Sequence, residues 1–256
     1  MAFPFKGGVG ADLMISYFRL KHLMNFSDAR MRMTILKEES ALFERWKGSR
    51  KGFVADGVVC EEDYLSAPLK LCFVLKEVND LSGGGWDLRE FIRNGARPQS
   101  WDNITRWIRC IESSGLDIHW KDLKSVTEDQ RKSVLTRICA MNMKKSPGGH
   151  TTERASFQAV VAEDRECIRE QYALYQADLT ICCGTGWDLR WALGLDDVEV
   201  LETTRGIKWF LNAEQKPVIM YSHPEARVQN SLLVYGLVDA VREVFRNQSV
   251  GQIPAH

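Results

Sequence analysis

Four short, almost unbroken apolar runs stand out along the chain, at 69–75, 135–141, 179–183 and 217–221. Leu71-Cys72-Phe73-Val74-Leu75 shows the pattern well: apolar residues continue where a half-exposed strand would alternate with polar ones. Such strands are covered on both faces, as in the interior of a parallel sheet. Between the runs, apolar residues recur at helical spacing over 86–93, 101–113 and 156–175, and again over 231–245. Strands alternating with helices predict an α/β fold: a three-layer α/β/α arrangement around a central, mainly parallel four-stranded sheet. Segments 198–201 and 207–211, on either side of Arg205-Gly206, read as extra strands or a hairpin before the last core strand. Upstream of residue 69 the pattern is mostly helical. Ser27-Asp28 fits a helix start, Met31, Met33, Ile35, Leu36, Leu42, Phe43 and Trp46 supply the apolar positions, and Gly48 ends the helix. No repeat or linker interrupts the chain, so 1–256 reads as one domain, with a helical section at 1–68 and a core at 69–245.

Composition changes this picture little. Hydrophobic residues make up 45% and charged residues 27% of the 256, enough apolar material for a large core. Lys plus Arg equals Asp plus Glu at 34 each, which argues against a tail-driven nucleic-acid binder but leaves room for a local basic groove. The basic stretch 45–52, punctuated by Gly48 and Gly52, is either a solvated helix end or a phosphate-contacting loop. Seven cysteines, several within apolar runs and none in a CxxC pair, read as reduced core thiols, with no metal or cofactor expected. The N-terminus lacks the apolar stretch of a signal peptide and no run approaches a membrane span, so the expectation is a cytoplasmic monomer without membrane contact.

The chemistry lies just beyond the end of each strand. After the first come Glu77-Val78-Asn79-Asp80, then Gly83-Gly84-Gly85-Trp86. After the second come Asn142, Lys144-Lys145, Gly148-Gly149 and His150-Thr151-Thr152; after the third, Gly184-Thr185-Gly186; after the fourth, Ser222-His223-Pro224-Glu225 and Arg227. In open α/β sheets ligands bind beyond the carboxyl ends of the strands, so four polar ends in register predict a crevice there. The glycine triplet matches neither dinucleotide nor P-loop fingerprint. The Gly148-Gly149 pair, between Lys144-Lys145 and His150-Thr151, combines free amides, hydroxyls and positive charge suited to phosphate. Two of the five histidines, His150 and His223, fall in these loops.

In order and placement these motifs resemble the uracil-DNA glycosylase superfamily over roughly 69–245. The matching parts are Leu75-Lys76-Glu77-Val78-Asn79-Asp80, Met141-Asn142-Met143, Ile181-Cys182-Cys183-Gly184-Thr185 and Ser222-His223-Pro224-Glu225. The resemblance implies a glycosylase-like fold and DNA, single- or double-stranded, as partner. It implies a catalytic set drawn from Glu77, Asn79, Asp80 and His223, with Asn142 and Trp86 meeting the base. Gly84, Gly85, Lys144, Lys145, Gly148, Gly149, His150, Thr151 and Arg227 would hold phosphates. Lys76 stands where the uracil-excising pattern has glycine, Val78-Asn79-Asp80 replaces its Asp-Pro pair and aromatic gate, and Glu225 replaces a serine. The four cysteines of the cluster-bearing branches are missing. The departures point away from uracil and toward a modified or damaged pyrimidine, such as the bulky glucosylated hydroxymethylcytosine of phage DNA, with phage defence as the role. The glycine triplet, which removes side chains beside the expected pocket, points the same way. No lysine is clearly placed for a Schiff base, so the expected reaction leaves an abasic site. Three alternatives stay open: a uracil-repair glycosylase, an inactive DNA-binding relative and an enzyme of free nucleosides or nucleotides.

Overall fold

The computed structural model describes residues 35–113, 116–149 and 153–251. Ser27-Asp28, Met31, Met33, His150, Thr151 and Thr152 lie outside them. Its centre is a seven-stranded mixed sheet in the order β1-β3-β2-β4-β7-β6-β5. The strands are β1 (Gly57–Val58), β2 (Leu71–Leu75), β3 (Ile138–Asn142), β4 (Leu179–Cys183), β5 (Leu201–Glu202), β6 (Lys208–Leu211) and β7 (Pro217–Tyr221). The middle four, β3-β2-β4-β7, are parallel, and they correspond to the four apolar runs. β1 on one side and the β5–β6 hairpin on the other add antiparallel edges. Among the described residues the sheet therefore has seven strands rather than four.

Helices pack on both faces. They are α1 (Ile35–Lys47), α2 (Glu61–Ser66), α3 (Leu88–Arg93), α4 (Pro98–Glu112), α5 (Trp120–Leu123), α6 (Glu128–Leu135), α7 (Arg154–Glu163), α8 (Arg165–Tyr175), α9 (Gly186–Ala192) and α10 (Asn230–Gly251). Successive strand residues face opposite sides, so β2 divides between two cores. Leu71, Phe73 and Leu75 join α4 and α10 in one; Cys72 and Val74 join α1, α7 and α8 in the other. Phe73 stacks on Trp107 of α4, with centroids 6.3 Å apart and planes 9° from parallel. Full burial of each such side chain stabilises the fold by roughly 1.5–3 kcal/mol. No helix among the described residues is long and apolar enough to cross a membrane.

Several boundaries differ from the pattern, each for a local reason. Residues 135–137 do not extend β3: a capping box of Thr127 and Gln130 starts α6, which runs through Leu135. The stretch 156–175 is two helices, broken at Asp164, which closes α7 and opens α8. The N-terminal section is not purely helical, because Gly57–Val58 pairs with Cys139 and Ala140. Gly57 has to be glycine, since its φ is +117° and a Cβ there would sit 2.0 Å from Glu39 Oε1. The basic stretch at the end of α1 is a helix end tied down by ion pairs, with Arg45 on Glu170 at 2.6 Å and Arg50 on Glu163 and Asp164 at 2.5 Å.

Candidate active site

The carboxyl ends of β2, β3, β4 and β7 open into one crevice of about 860 Å³. Glu77, Asn79, Asp80, Trp86, Asn142, Gly149, His223 and Arg227 all line it. Residues from four separate loops thus meet as the topology of a parallel sheet requires. Leu75, Val78, Leu88, Phe91 and Trp101 supply apolar wall, and Lys76, Arg97, Ser100, Gly184 and Glu225 complete much of the polar lining.

The loops after β2 and β3 are zipped beyond the strands. Met143 N–H donates to Leu75 O at 3.0 Å, Lys144 N–H to Lys76 O at 2.9 Å, Gly148 N–H to Val78 O at 2.9 Å and Asp80 N–H to Gly148 O at 3.2 Å. Across this seam the Lys144 ammonium pairs with the Glu77 carboxylate, which leaves only 5% of the Glu77 side chain exposed. Gly148 has to be glycine here, because its Cβ would fall 2.2 Å from Glu77 Oε1.

Asp80 has a different task from the catalytic one expected of it. Its Oδ1 accepts from Ser82 N–H at 2.8 Å and Ser82 O–H at 2.5 Å; its Oδ2 accepts from Gly84 N–H at 2.9 Å and Trp86 Nε1–H at 2.7 Å. Four donors fill the lone-pair sites of a carboxylate, leaving none to orient a water. These bonds hold the Asp80 carboxyl far below the usual carboxylate range, Ser82 first among them. Asp80 is the organiser of the 80–86 turn and aims Trp86, whose ring packs 5.7 Å from Phe91, at the crevice. Asn79 remains exposed toward the crevice, its carbonyl accepting from Arg97 at 3.4 Å.

Asn142 ends β3 and is buried, with 3% of its surface exposed. Its backbone is held from below: its N–H donates to Asp56 Oδ2 at 2.8 Å, and its carbonyl accepts from Lys145 Nζ at 2.7 Å. The Asn142 Nδ2 has no hydrogen-bond partner among the described residues. A buried amide in that state costs about 1–3 kcal/mol, and this one belongs to a side chain lining the crevice.

His223 stands at the opposite rim. Its Nδ1 accepts from Glu225 N–H at 3.1 Å, which in the neutral ring places the proton on Nε2. Packing around the imidazole lowers its pKa below the ordinary 6.5, Glu225 pulls it back up, and Lys76 lowers it further. The turn is pinned by α4: Asn103 Nδ2 donates to Pro224 O at 2.7 Å, and Ser100 O–H to Glu225 Oε1 at 2.5 Å. No family model matches the chain, and no curated protein matches it as a relative.

The phosphate-binding expectations fare unevenly. Lys145 is 1% exposed and cannot reach a phosphate; its ammonium pairs with Asp56 at 2.6 Å and sits 4.8 Å from the Trp46 ring. The amides of Gly84 and Gly148 are already consumed by Asp80 and Val78. Lys144 is committed to Glu77. Gly85 is exposed but does not line the crevice, whereas Gly149 and Arg227 do. His150 and Thr151 lie outside the described residues. The glycine triplet answers a backbone need: φ is +102°, +77° and +83°, and a Cβ on Gly84 would meet Gly52 O at 2.2 Å. It does not widen the crevice. Arg97, Ser100 and Trp101 were not anticipated; the only sequence signal was Arg97-Pro98, where proline at the first helical turn opens α4.

Proposed function

We propose that the chain is a DNA glycosylase of the uracil-DNA glycosylase kind, hydrolysing the N-glycosidic bond of a flipped-out, modified pyrimidine. One observation carries the reading: the unpartnered Asn142 amide and the Nε2–H of a neutral His223 line the same crevice as the Glu77–Asn79 loop. Such a set suits a base with acceptors on its edge, lifted out of the stack.

In the proposed reaction, water held by Asn79, with the Glu77 carboxylate behind it, adds to C1′ as the C1′–N bond breaks. The water gives up its proton to the surroundings, and the bond pair leaves with the base. His223 Nε2–H donates to the oxygen of the base where negative charge grows, as in an oxyanion site, and Asn142 Nδ2–H reads an acceptor on the opposite edge of the base. Trp86 offers an aromatic wall, and Arg227, Arg97 and Gly149 lie where the flanking backbone would run. A volume of about 860 Å³ is at the upper end for a small-molecule site, which favours a substituted base over uracil. The glucosylated hydroxymethylcytosine of phage DNA falls in this class, with defence as the corresponding role.

Duplexes carrying uracil, hydroxymethylcytosine, its glucosylated form or unmodified cytosine test the reading when incubated with protein and then cleaved with alkali. Cutting at the substituted base supports it. Cutting confined to uracil overturns the substrate class, and release of base only from free nucleosides overturns the DNA glycosylase.

A further inference from the structure

We propose that Lys76 is a further catalytic residue of this site: its ammonium stabilises the departing base anion beside the His223 Nε2–H. The inference rests on the glycosylase reading and adds a group that the family pattern does not supply, since glycine holds this place there.

Lys76 comes directly after β2 and lines the crevice together with Cys183, Gly184 and His223. Its carbonyl is fixed by Lys144 N–H at 2.9 Å, so its Cα cannot drift from the strand end. The side chain runs toward the end of β4, where its Cε lies 4.0 Å from the position a Cβ on Gly184 would occupy. Gly184 itself is held at φ +76° by its N–H on Tyr221 O at 2.8 Å. The nearby carboxylates are committed elsewhere: Glu77 to Lys144, Asp80 to its four donors, and Glu225 to Ser100. The Lys76 charge is therefore directed at the crevice and at His223.

This placement has two effects. A fixed positive charge in a partly dehydrated crevice attracts the electron pair that leaves C1′ with the base. The same charge also disfavours the imidazolium of His223, reinforcing the effect of burial and opposing Glu225. Among the described residues, Arg97 and Arg227 are the other cations lining this crevice, and Glu77 and Asp80 its other carboxylates. Lys76 thus adds to burial, the larger effect, in favouring the neutral histidine, and supplies the charge that a neutral donor lacks.

The test compares wild type, Lys76→Gln and Lys76→Arg in single-turnover base release from pH 5 to 9, on the substrate that wild type cleaves best. Lys76→Gln is expected to slow release about a hundredfold and to move the acid limb of the profile to higher pH. Lys76→Arg is expected to restore most of the rate and the original limb. An unchanged rate and limb in Lys76→Gln, with wild type active, overturns the proposal and leaves the glycosylase reading standing. Covalent trapping of wild type on DNA by borohydride, lost in Lys76→Gln, also overturns it, since the lysine then acts as an amine nucleophile. Absence of base release by wild type from any duplex overturns the glycosylase reading itself.

Discussion

At the residue scale the site depends on how each polar group is already employed. Asp80 and Glu77 look equivalent in the sequence, yet one carboxylate is filled by four donors and the other is paired with Lys144 across a loop seam. Asn142 differs because its amide is buried and unspent. Replacing Asn142 by Ala removes that donor and is expected to lower kcat/KM by about 1–3 kcal/mol, roughly five- to 150-fold, measured as base release at limiting substrate. His223 predicts a pH profile. Its pKa lies below 6.5 through burial, so the neutral donor persists down to that range and activity falls as pH drops through the lowered pKa. His223→Ala should abolish this acid limb and reduce the rate about 10²–10⁴-fold, while DNA binding, monitored by fluorescence anisotropy, stays close to wild type.

At the element scale, the floor of the site is a buried polar layer between α1, β1, β3 and α8. Asp56 and Lys145 are both below 2% exposed, and Gln171 Nε2 donates to Asp56 Oδ1 at 2.8 Å. Removing one partner of such a pair strands the other charge, so Lys145→Met is expected to cost about 3–5 kcal/mol in urea unfolding. A surface lysine awaiting phosphate would cost almost nothing. This pair also shows where the sequence was opaque. Lys144 and Lys145 are neighbours of one type, and only the strand register that turns one outward and the other under Trp46 tells them apart. The central strands were legible because four buried strands leave four apolar runs. β1 was not, since two residues carry no period and its place depends on Asp56 accepting from the backbone N–H of Asn142. The convergence of the strand-end loops was legible from topology. Which glycine amides remained available was not, because it depends on partners far away in the chain.

At the scale of the whole molecule, net charge of zero and a crevice with only a few cations among the described residues limit the proposed DNA binding to a small number of phosphate contacts. Binding is therefore expected to weaken gently with salt, with a slope of log K against log salt of about −2 to −3. Arg227→Ala should flatten it by about one. A slope near about −8 would mean that a much larger basic surface is engaged. The parallel centre of the sheet brings Lys76, Asn142, Gly184 and His223 together from four strand ends, and the helices on both faces keep those ends in place. A crevice of this kind is proposed to break an N-glycosidic bond with water. Mass spectrometry of a duplex bearing a substituted cytosine, before and after incubation, tests this most directly. The expected product is a strand that has lost the base and gained one water, with an intact phosphodiester backbone and free base in solution. A strand of unchanged mass, or one cut without release of the base, would contradict it.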